Sequence, residues 1–188
     1  SLFFEKAAFY KEKPLFWSKN NNKWVSINWN ESKDLVLNIS NGLNFLGVTK
    51  NDKVSIISEN SYKWCIADLA INTIGSVTVP GYTTSNEEEL YHLISHSETS
   101  VIFTNSTLFS RISKFISKNK RIKLIIFFDN PNKKFISTKS LTFITFDELN
   151  NIILKSKKIT NLKTYIKSIN ENDLACLIYT SGTSSLPK

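Results

Sequence analysis

Short apolar runs alternate with helical patterns through the middle of the chain. The predicted strands are residues 54–57, 77–79, 101–103 and 124–128. The predicted helices between and after them are residues 61–74, 85–96 and 106–117. Strands that are joined through helices pair in parallel and need helices on the sheet faces. We therefore predict an α/β fold with a mostly parallel sheet flanked by helices.

A different pattern precedes this region. Apolar residues at 14–17 and 24–29 flank an asparagine-rich turn at 18–23, which predicts a small β-hairpin before the sheet. Aromatic residues beside a turn usually close a small core, so we expect Trp17, Trp24 and Trp29 to be packed rather than to form a stacking platform.

Capping residues set the predicted helix ends. Apolar residues at helical spacing predict a further helix at 31–46, with Gly47 as its C-cap. The predicted N-caps of the first three helices are Asn30, either Asn60 or Ser61, and Ser85. Ser85 has Glu88 three positions later, the spacing of a capping box.

The last third of the chain is less regular. It contains a predicted strand at 142–146, a helix opened by Asp147 and a lysine-rich connection. The apolar run 174–179 then predicts a buried strand that leads directly into a polar loop.

Composition excludes some classes of protein. The formal net charge of +8 suggests that the chain binds nucleic acid or anionic lipid. The lysines are spread along the chain, however, so we expect a solvated surface and no nucleic-acid partner. Lysine-dense segments at 114–123 and 155–167 leave a peripheral membrane contact open. The apolar run 124–128 is far shorter than the about 20 residues of a spanning helix.

Cysteine and histidine residues indicate no special site. Cys65 and Cys176 are too few for a disulfide framework and are expected to be packed and free, which favours an intracellular compartment. The predicted location is the cytoplasm or the cytoplasmic face of an internal membrane such as the endoplasmic reticulum. His92 and His96 lie four positions apart with Glu88 one turn earlier, but we expect an ordinary helix face and no metal site.

The polar loop carries the predicted chemistry. Its candidate phosphate-binding residues are Thr180, Ser181, Gly182, Thr183, Ser184, Ser185 and Lys188. Glycine allows backbone N–H groups to converge on an anion, hydroxyl groups donate further hydrogen bonds, and lysine supplies a full positive charge. A triphosphate is the predicted ligand. The loop lacks the two glycines and the Lys-Ser/Thr ending of a Walker A motif.

Residues 178–188 resemble the signature of the adenylate-forming (AMP-binding) superfamily, Tyr-Thr-Ser-Gly-Thr-Thr-Gly-x-Pro-Lys, with Ser185 at the usual second glycine. Upstream elements resemble its long-chain fatty acyl-CoA synthetases, also called long-chain-fatty-acid–CoA ligases. These elements are 54–60, Trp64, 67–70, Gly75, 79–80, 82–85, 89–90 and 96–97.

The resemblance implies a two-step ligase reaction. A fatty acid would be activated by ATP as an acyl-adenylate and then transferred to coenzyme A, with Mg²⁺ held by a carboxylate beyond Lys188. It also implies that 1–188 is the first part of the large AMP-binding domain, ending at the phosphate-binding loop and lacking the C-terminal lid. On this basis the chain alone is expected to be inactive, and no obligate protein partner is predicted.

Three other readings remain open. The chain could belong to another adenylate-forming ligase, to a catalytically inactive relative, since Ser185 replaces a glycine, or to a basic module that binds a membrane or nucleic acid. The catalytic residues and the preferred acyl chain length are not predicted.

Overall fold

The computed structural model of the chain describes residues 2–116, 118–156 and 166–180. Its strands are β1 (Pro14–Asn20), β2 (Lys23–Asn28), β3 (Lys53–Ile57), β4 (Val77–Gly81), β5 (Val101–Thr104), β6 (Leu124–Phe127) and β7 (Thr142–Thr145). Its helices are α1 (Leu2–Tyr10), α2 (Trp29–Phe45), α3 (Tyr62–Thr73), α4 (Glu87–His96), α5 (Ser106–Ile116) and α6 (Phe146–Ser156).

Strands β3 to β7 form one parallel sheet in the order β4-β3-β5-β6-β7. The register places Val54 of β3 between Thr78 of β4 and Val101 of β5. Strands β1 and β2 form a separate antiparallel hairpin. The predicted α/β class, the parallel sheet and the preceding hairpin are therefore confirmed.

Each central strand is buried on both faces, which explains why its sequence is mostly apolar rather than alternating between apolar and polar residues. Val54, Ile56 and Phe103 face a core shared with helices α2, α3 and α6. Ile57 and Ile102 face a second core shared with α4 and α5. Burying one such side chain contributes about 1.5–3 kcal/mol, so the two cores hold helices on both sides of the sheet.

The hairpin turns at Asn21 and Asn22, whose φ angles are +47° and +60°. Positive φ at both central residues is the tight hairpin turn that asparagine tolerates, as the asparagine-rich segment predicts. The expectation for the tryptophans is confirmed only for Trp29, which packs against Phe3 of α1.

Trp17 and Trp24 are 60% and 67% exposed, so the prediction that they are packed is wrong. Trp24 of β2 lies opposite Lys19 of β1. Lys19 is two positions after Trp17 on the same strand, so both tryptophans project from the same face of the hairpin. A two-stranded hairpin has two faces, and among the described residues only the opposite face, with Phe16, packs against the core.

Helix α1 has no counterpart among the predicted elements. Ala7 is buried and Phe3 and Phe4 pack against the larger core, whereas Leu2 and Phe9 are exposed. The apolar residues are spread around the helix, so they produce no clear helical period along the sequence.

Two predicted N-caps are displaced in the structure. Asn28, not Asn30, caps α2 and forms a capping box with Glu31, while the Asn30 amide donates to a carboxylate oxygen of Glu12 at 2.6 Å. Likewise Asn86, not Ser85, caps α4. Both errors arise because neighbouring polar residues are chemically able to cap, and packing of the helix selects one of them.

Other predicted helix ends are close to the observed ones. Ser61 caps α3, as one of the two alternatives predicts. Gly47 and Gly75 follow the observed C-caps Leu46 and Ile74 with φ of +82° and +71°, so the predicted C-cap of α2, Gly47, lies one residue beyond the observed one. Helix α6 begins at Phe146, one residue before the predicted Asp147.

Candidate functional site

The carboxyl ends of β3 and β5 meet at the switch point of the sheet. Helix α3, which follows β3, packs in one core, and α5, which follows the adjacent β5, packs in the other. In open parallel sheets, a crevice opens where the helices that follow two neighbouring strands pack on opposite faces of the sheet. Here the Ser58 hydroxyl, directly after β3, donates to the Asn105 side-chain oxygen, directly after β5. This hydrogen bond spans the switch point.

A cleft of about 480 Å³ opens at this edge of the sheet. It is lined by residues 58–60 after β3, by residues 80–84 around the end of β4, and by Trp64 and Ile178. Glu59 is the single charged residue of this described lining. A lone carboxylate repels a triphosphate, so the charge that would bind an anion here has to come from elsewhere.

Two side chains from neighbouring helices and loops hold the cleft walls. Arg111 of α5 donates from its guanidinium to the backbone oxygen of Thr83 at 2.6 Å and to that of Ser85. The Asp129 carboxylate, after β6, accepts from the backbone N–H of Ser106 at 2.9 Å. These bonds fix the chain segments that follow β4 and β5 before any ligand is present.

Gly81 allows β3 and β4 to approach closely at the cleft. A Cβ at position 81 would lie 2.9 Å from Cγ1 of Ile57, which is closer than real Cβ atoms come. Any larger residue would therefore push apart the strand ends that carry the cleft lining.

Residues 174–180 run beside β4 and not as the predicted buried strand. The backbone N–H of Thr78 donates to the backbone oxygen of Ala175, and the backbone N–H of Leu177 donates to the backbone oxygen of Thr78. These two bonds form a single parallel bridge between Thr78 and Cys176. Leu174 and Ile178 are 49% and 65% exposed. The prediction of burial is wrong because this segment lies beyond the edge strand β4. Among the described residues, only those on one side of the segment pack against it.

That covered side ends at Tyr179, which is buried against α4 in the second core. Its hydroxyl group lies 2.8 Å from Nδ1 of His96, and the His92 ring stacks on the His96 ring at a centroid distance of 5.2 Å. Burial raises the pKa of the Tyr179 phenol, which therefore keeps its proton at neutral pH. The two histidines thus form a helix face that contacts an aromatic residue.

Thr180 follows Tyr179 and is exposed. The other predicted phosphate-binding residues lie outside the described part of the chain: Ser181, Gly182, Thr183, Ser184, Ser185 and Lys188. Among the described residues, no group of three or more histidine, cysteine, aspartate or glutamate side chains is placed to hold a metal ion.

Both cysteines lie near enough to Asp68 to be affected by its charge. Cys176 is exposed and Cys65 is half-buried, so the expectation that both are packed is wrong for Cys176. Burial, and then the charge of Asp68, raise the pKa of both thiols. The Asp68 carboxylate accepts from the hydroxyl of Thr78 at 2.7 Å and is held beside them. Neither thiol is activated as a nucleophile.

A second cavity, of about 530 Å³, lies at the opposite end of the sheet. It is lined by Phe3 and Phe4 of α1, by Leu69 of α3 and by residues 173–175. Gly75 and Ser76 also line it, and they precede β4, so this cavity is remote from the switch point. No helix within the described ranges is long and apolar enough to span a membrane.

Sequence reasoning did not single out Ser58, Asn105 or Arg111 as functional. A polar residue directly after a buried strand is a usable signal for the first two, because carboxyl ends of parallel strands share one edge. Arg111 contacts backbone atoms 26 and 28 residues away, and nothing local in the sequence indicates that contact.

Comparison with protein families gives a match over residues 3–188 to the family described as AMP-binding enzyme. Among curated proteins, the long-chain-fatty-acid–CoA ligase FadD15 of Mycobacterium tuberculosis is 30% identical over 88% of the chain and 26% of its own length. The Arabidopsis thaliana long-chain-fatty-acid–[acyl-carrier-protein] ligase AEE15 is 26% identical over 87% of the chain and 24% of its own length. The chain spans about a quarter of these relatives.

Solved structures show the same fold. A coronafacic acid ligase from Pectobacterium brasiliense superposes with a TM-score of 0.76 at 20% identity, over 94% of the chain and 32% of that structure. A fatty acyl CoA synthetase from Mycobacterium tuberculosis superposes with a TM-score of 0.71 at 18% identity, over 99% of the chain and 32% of that structure.

Proposed function

Because the chain belongs to the AMP-binding enzyme family, we propose that it forms the first part of a long-chain fatty acid–CoA ligase. The fatty acid carboxylate attacks the α-phosphorus of ATP, the bond to pyrophosphate breaks, and an acyl-adenylate forms. The thiol of coenzyme A then attacks the acyl carbon and AMP leaves. The names of relatives such as FadD15 support this substrate and acceptor.

The observation that carries the proposal is the position of Thr180. The segment before it runs parallel to β4 toward the carboxyl end of the sheet, and Ile178 lines the cleft there. The loop that begins at Thr180 therefore starts at the edge where open parallel sheets bind ligands. The described lining has only Glu59 as a charged group, and we propose that the loop contributes positive charge that ATP requires.

We assign the phosphate contacts to this loop. The hydroxyls of Thr180, Ser181, Thr183, Ser184 and Ser185 and the backbone at Gly182 donate to the β- and γ-phosphates. Lys188 neutralises charge as pyrophosphate leaves, which is positioning combined with electrostatic stabilisation.

Mg²⁺ would neutralise the triphosphate further. The described residues include no group that fits the ion, and we expect its carboxylate ligand outside the chain. Two free cysteines favour an intracellular compartment for the reaction, in the cytoplasm or at the cytoplasmic face of an internal membrane.

The test is fatty-acid-dependent exchange of labelled pyrophosphate into ATP by the full-length protein that contains this chain. We expect exchange with long-chain fatty acids and thioester formation when coenzyme A is added. Thioester formation with acyl-carrier protein alone would favour the acceptor named for AEE15. Absence of exchange with fatty acids of every length would contradict the proposal and favour a catalytically inactive relative, for which Ser185 is the one sequence feature.

A further inference from the structure

Tyr179 is the last buried residue before the proposed phosphate loop. Within residues 166–180 it is the single buried side chain, with 9% of its surface exposed. It belongs to the second core, which also contains Leu90, Leu93 and Ile94 of α4. Consecutive Cα atoms are about 3.8 Å apart, so the position of Tyr179 determines where Thr180 starts.

The segment around Tyr179 has few attachments. Residues 174–180 are joined to the described fold by two backbone hydrogen bonds to Thr78 and by the 2.8 Å contact between the Tyr179 hydroxyl and Nδ1 of His96. The His92 and His96 rings both meet the Tyr179 ring at nearly right angles. Among the described residues, the hydroxyl contact is therefore the polar attachment nearest to the loop.

His96 lies on α4, a helix whose position is well fixed. Helix α4 is closed at its first turn by the capping box of Asn86 and Glu89, and its apolar residues are anchored in the second core. A phenol that is buried usually needs a hydrogen-bond partner, and His96 is the partner that α4 presents to it. A phenol is neutral at pH 7 and burial raises the pKa of Tyr179 further, so its O–H can donate to Nδ1 or its oxygen can accept from Nδ1–H.

We infer that His96 is a positioning residue, which holds Tyr179 and so fixes the position of Thr180, the first residue of the proposed phosphate-binding loop. The inference rests on the proposed function only for the statement that this loop binds ATP. Loss of the bond leaves the ring packed but lets the start of the loop move, which weakens ATP binding without changing the chemistry of bound ATP.

The test compares Tyr179→Phe and His96→Ala in the full-length protein with Tyr91→Phe, a neighbouring tyrosine on α4 whose exposed ring packs on Phe115. A typical hydrogen bond corresponds to about three- to tenfold. We expect KM for ATP in pyrophosphate exchange to rise by about that factor in the first two variants, with kcat unchanged. His96→Asn, whose amide lies near the position of Nδ1, should restore most of the affinity, and Tyr91→Phe should match the unsubstituted protein.

Amide hydrogen exchange of residues 174–188 without nucleotide is the second readout, and it does not depend on activity. Exchange should be about three- to tenfold faster in Tyr179→Phe and His96→Ala than in Tyr91→Phe. Equal exchange in all three variants, or a fall in kcat with unchanged KM, would overturn the inference. If the unsubstituted protein shows no pyrophosphate exchange, the proposed function fails and amide exchange alone decides the role of His96. His96→Ala changes an exposed residue and remains testable if Tyr179→Phe does not fold.

Discussion

Gly81→Ala should disturb the cleft through one contact between strands. The added Cβ would lie 2.9 Å from Cγ1 of Ile57 and 3.6 Å from Cδ1 of Leu93. Ordinary carbon contacts are about 3.5–4.0 Å, so β3 and β4 would have to separate by about 0.5–1 Å. Ile57 is fully buried, and its Cγ1 is not the free end of a flexible side chain. Overpacking of this kind costs about 1–3 kcal/mol of the free energy of unfolding.

The same displacement should reach the proposed active site. Ile57 is followed directly by Ser58, whose hydroxyl bridges the switch point to Asn105. A misplacement of about 1 Å can cost about a hundredfold in rate. We therefore expect pyrophosphate exchange by Gly81→Ala to fall by more than the loss of folded protein explains.

Urea unfolding in a double-mutant cycle with Ile57→Ala is the decisive assay. Ile57→Ala removes the atom that the new Cβ would meet, at its own cost of about 2–5 kcal/mol. In that background Gly81→Ala should be nearly neutral, which gives a coupling energy of about 1–3 kcal/mol. An equal cost of Gly81→Ala in both backgrounds would refute the steric argument.

Three further predictions concern the loop, a helix cap and the chain alone. In the full-length protein, Lys188→Ala and Gly182→Ala should each lower pyrophosphate exchange about a hundredfold at unchanged melting temperature. The control Lys139→Ala changes an exposed lysine and should leave exchange unaltered. Equal, small effects of all three changes would exclude a role of the loop in phosphate binding. Asn86→Ala should cost about 1 kcal/mol in urea unfolding and Ser85→Ala less, and the reverse order would contradict the observed cap. The 188-residue chain alone should not form acyl-CoA, and measured turnover would show that it contains a complete site.

Local chemistry in the sequence was sufficient for the fold class and for the order of the elements from β1 to α6, although not for α1. The predicted strands that contain Val101 and Leu124 are continuous apolar runs, and the one that contains Val54 is apolar except for Ser55. Such runs separated by helical patterns suit only a sheet covered on both faces. The hairpin is equally local, because Asn21 and Asn22 tolerate the positive φ of a tight turn. The candidate loop was also found from the sequence, since hydroxyl groups, glycine and lysine within nine residues are chemically suited to phosphate.

Tertiary packing decided what the local pattern left open. Asn86 caps α4 although Ser85 has an equivalent glutamate, since Ser85 lies in a turn after Tyr82 and its backbone oxygen accepts from Arg111 of α5. Residues 174–179 read as a buried strand, yet their burial depends on what lies beside an edge strand, and that is not a local property.

The site contacts are the least accessible to sequence reasoning. Ser58 reaches Asn105 across 47 residues and Tyr179 reaches His96 across 83, and neither pair shares a periodic pattern. Each contact exists because the crossing order of the sheet brings two distant chain segments to one place. Hydrophobic patterning specifies which side of an element is buried, whereas the strand order determines which elements become neighbours, and only the folded chain contains that information.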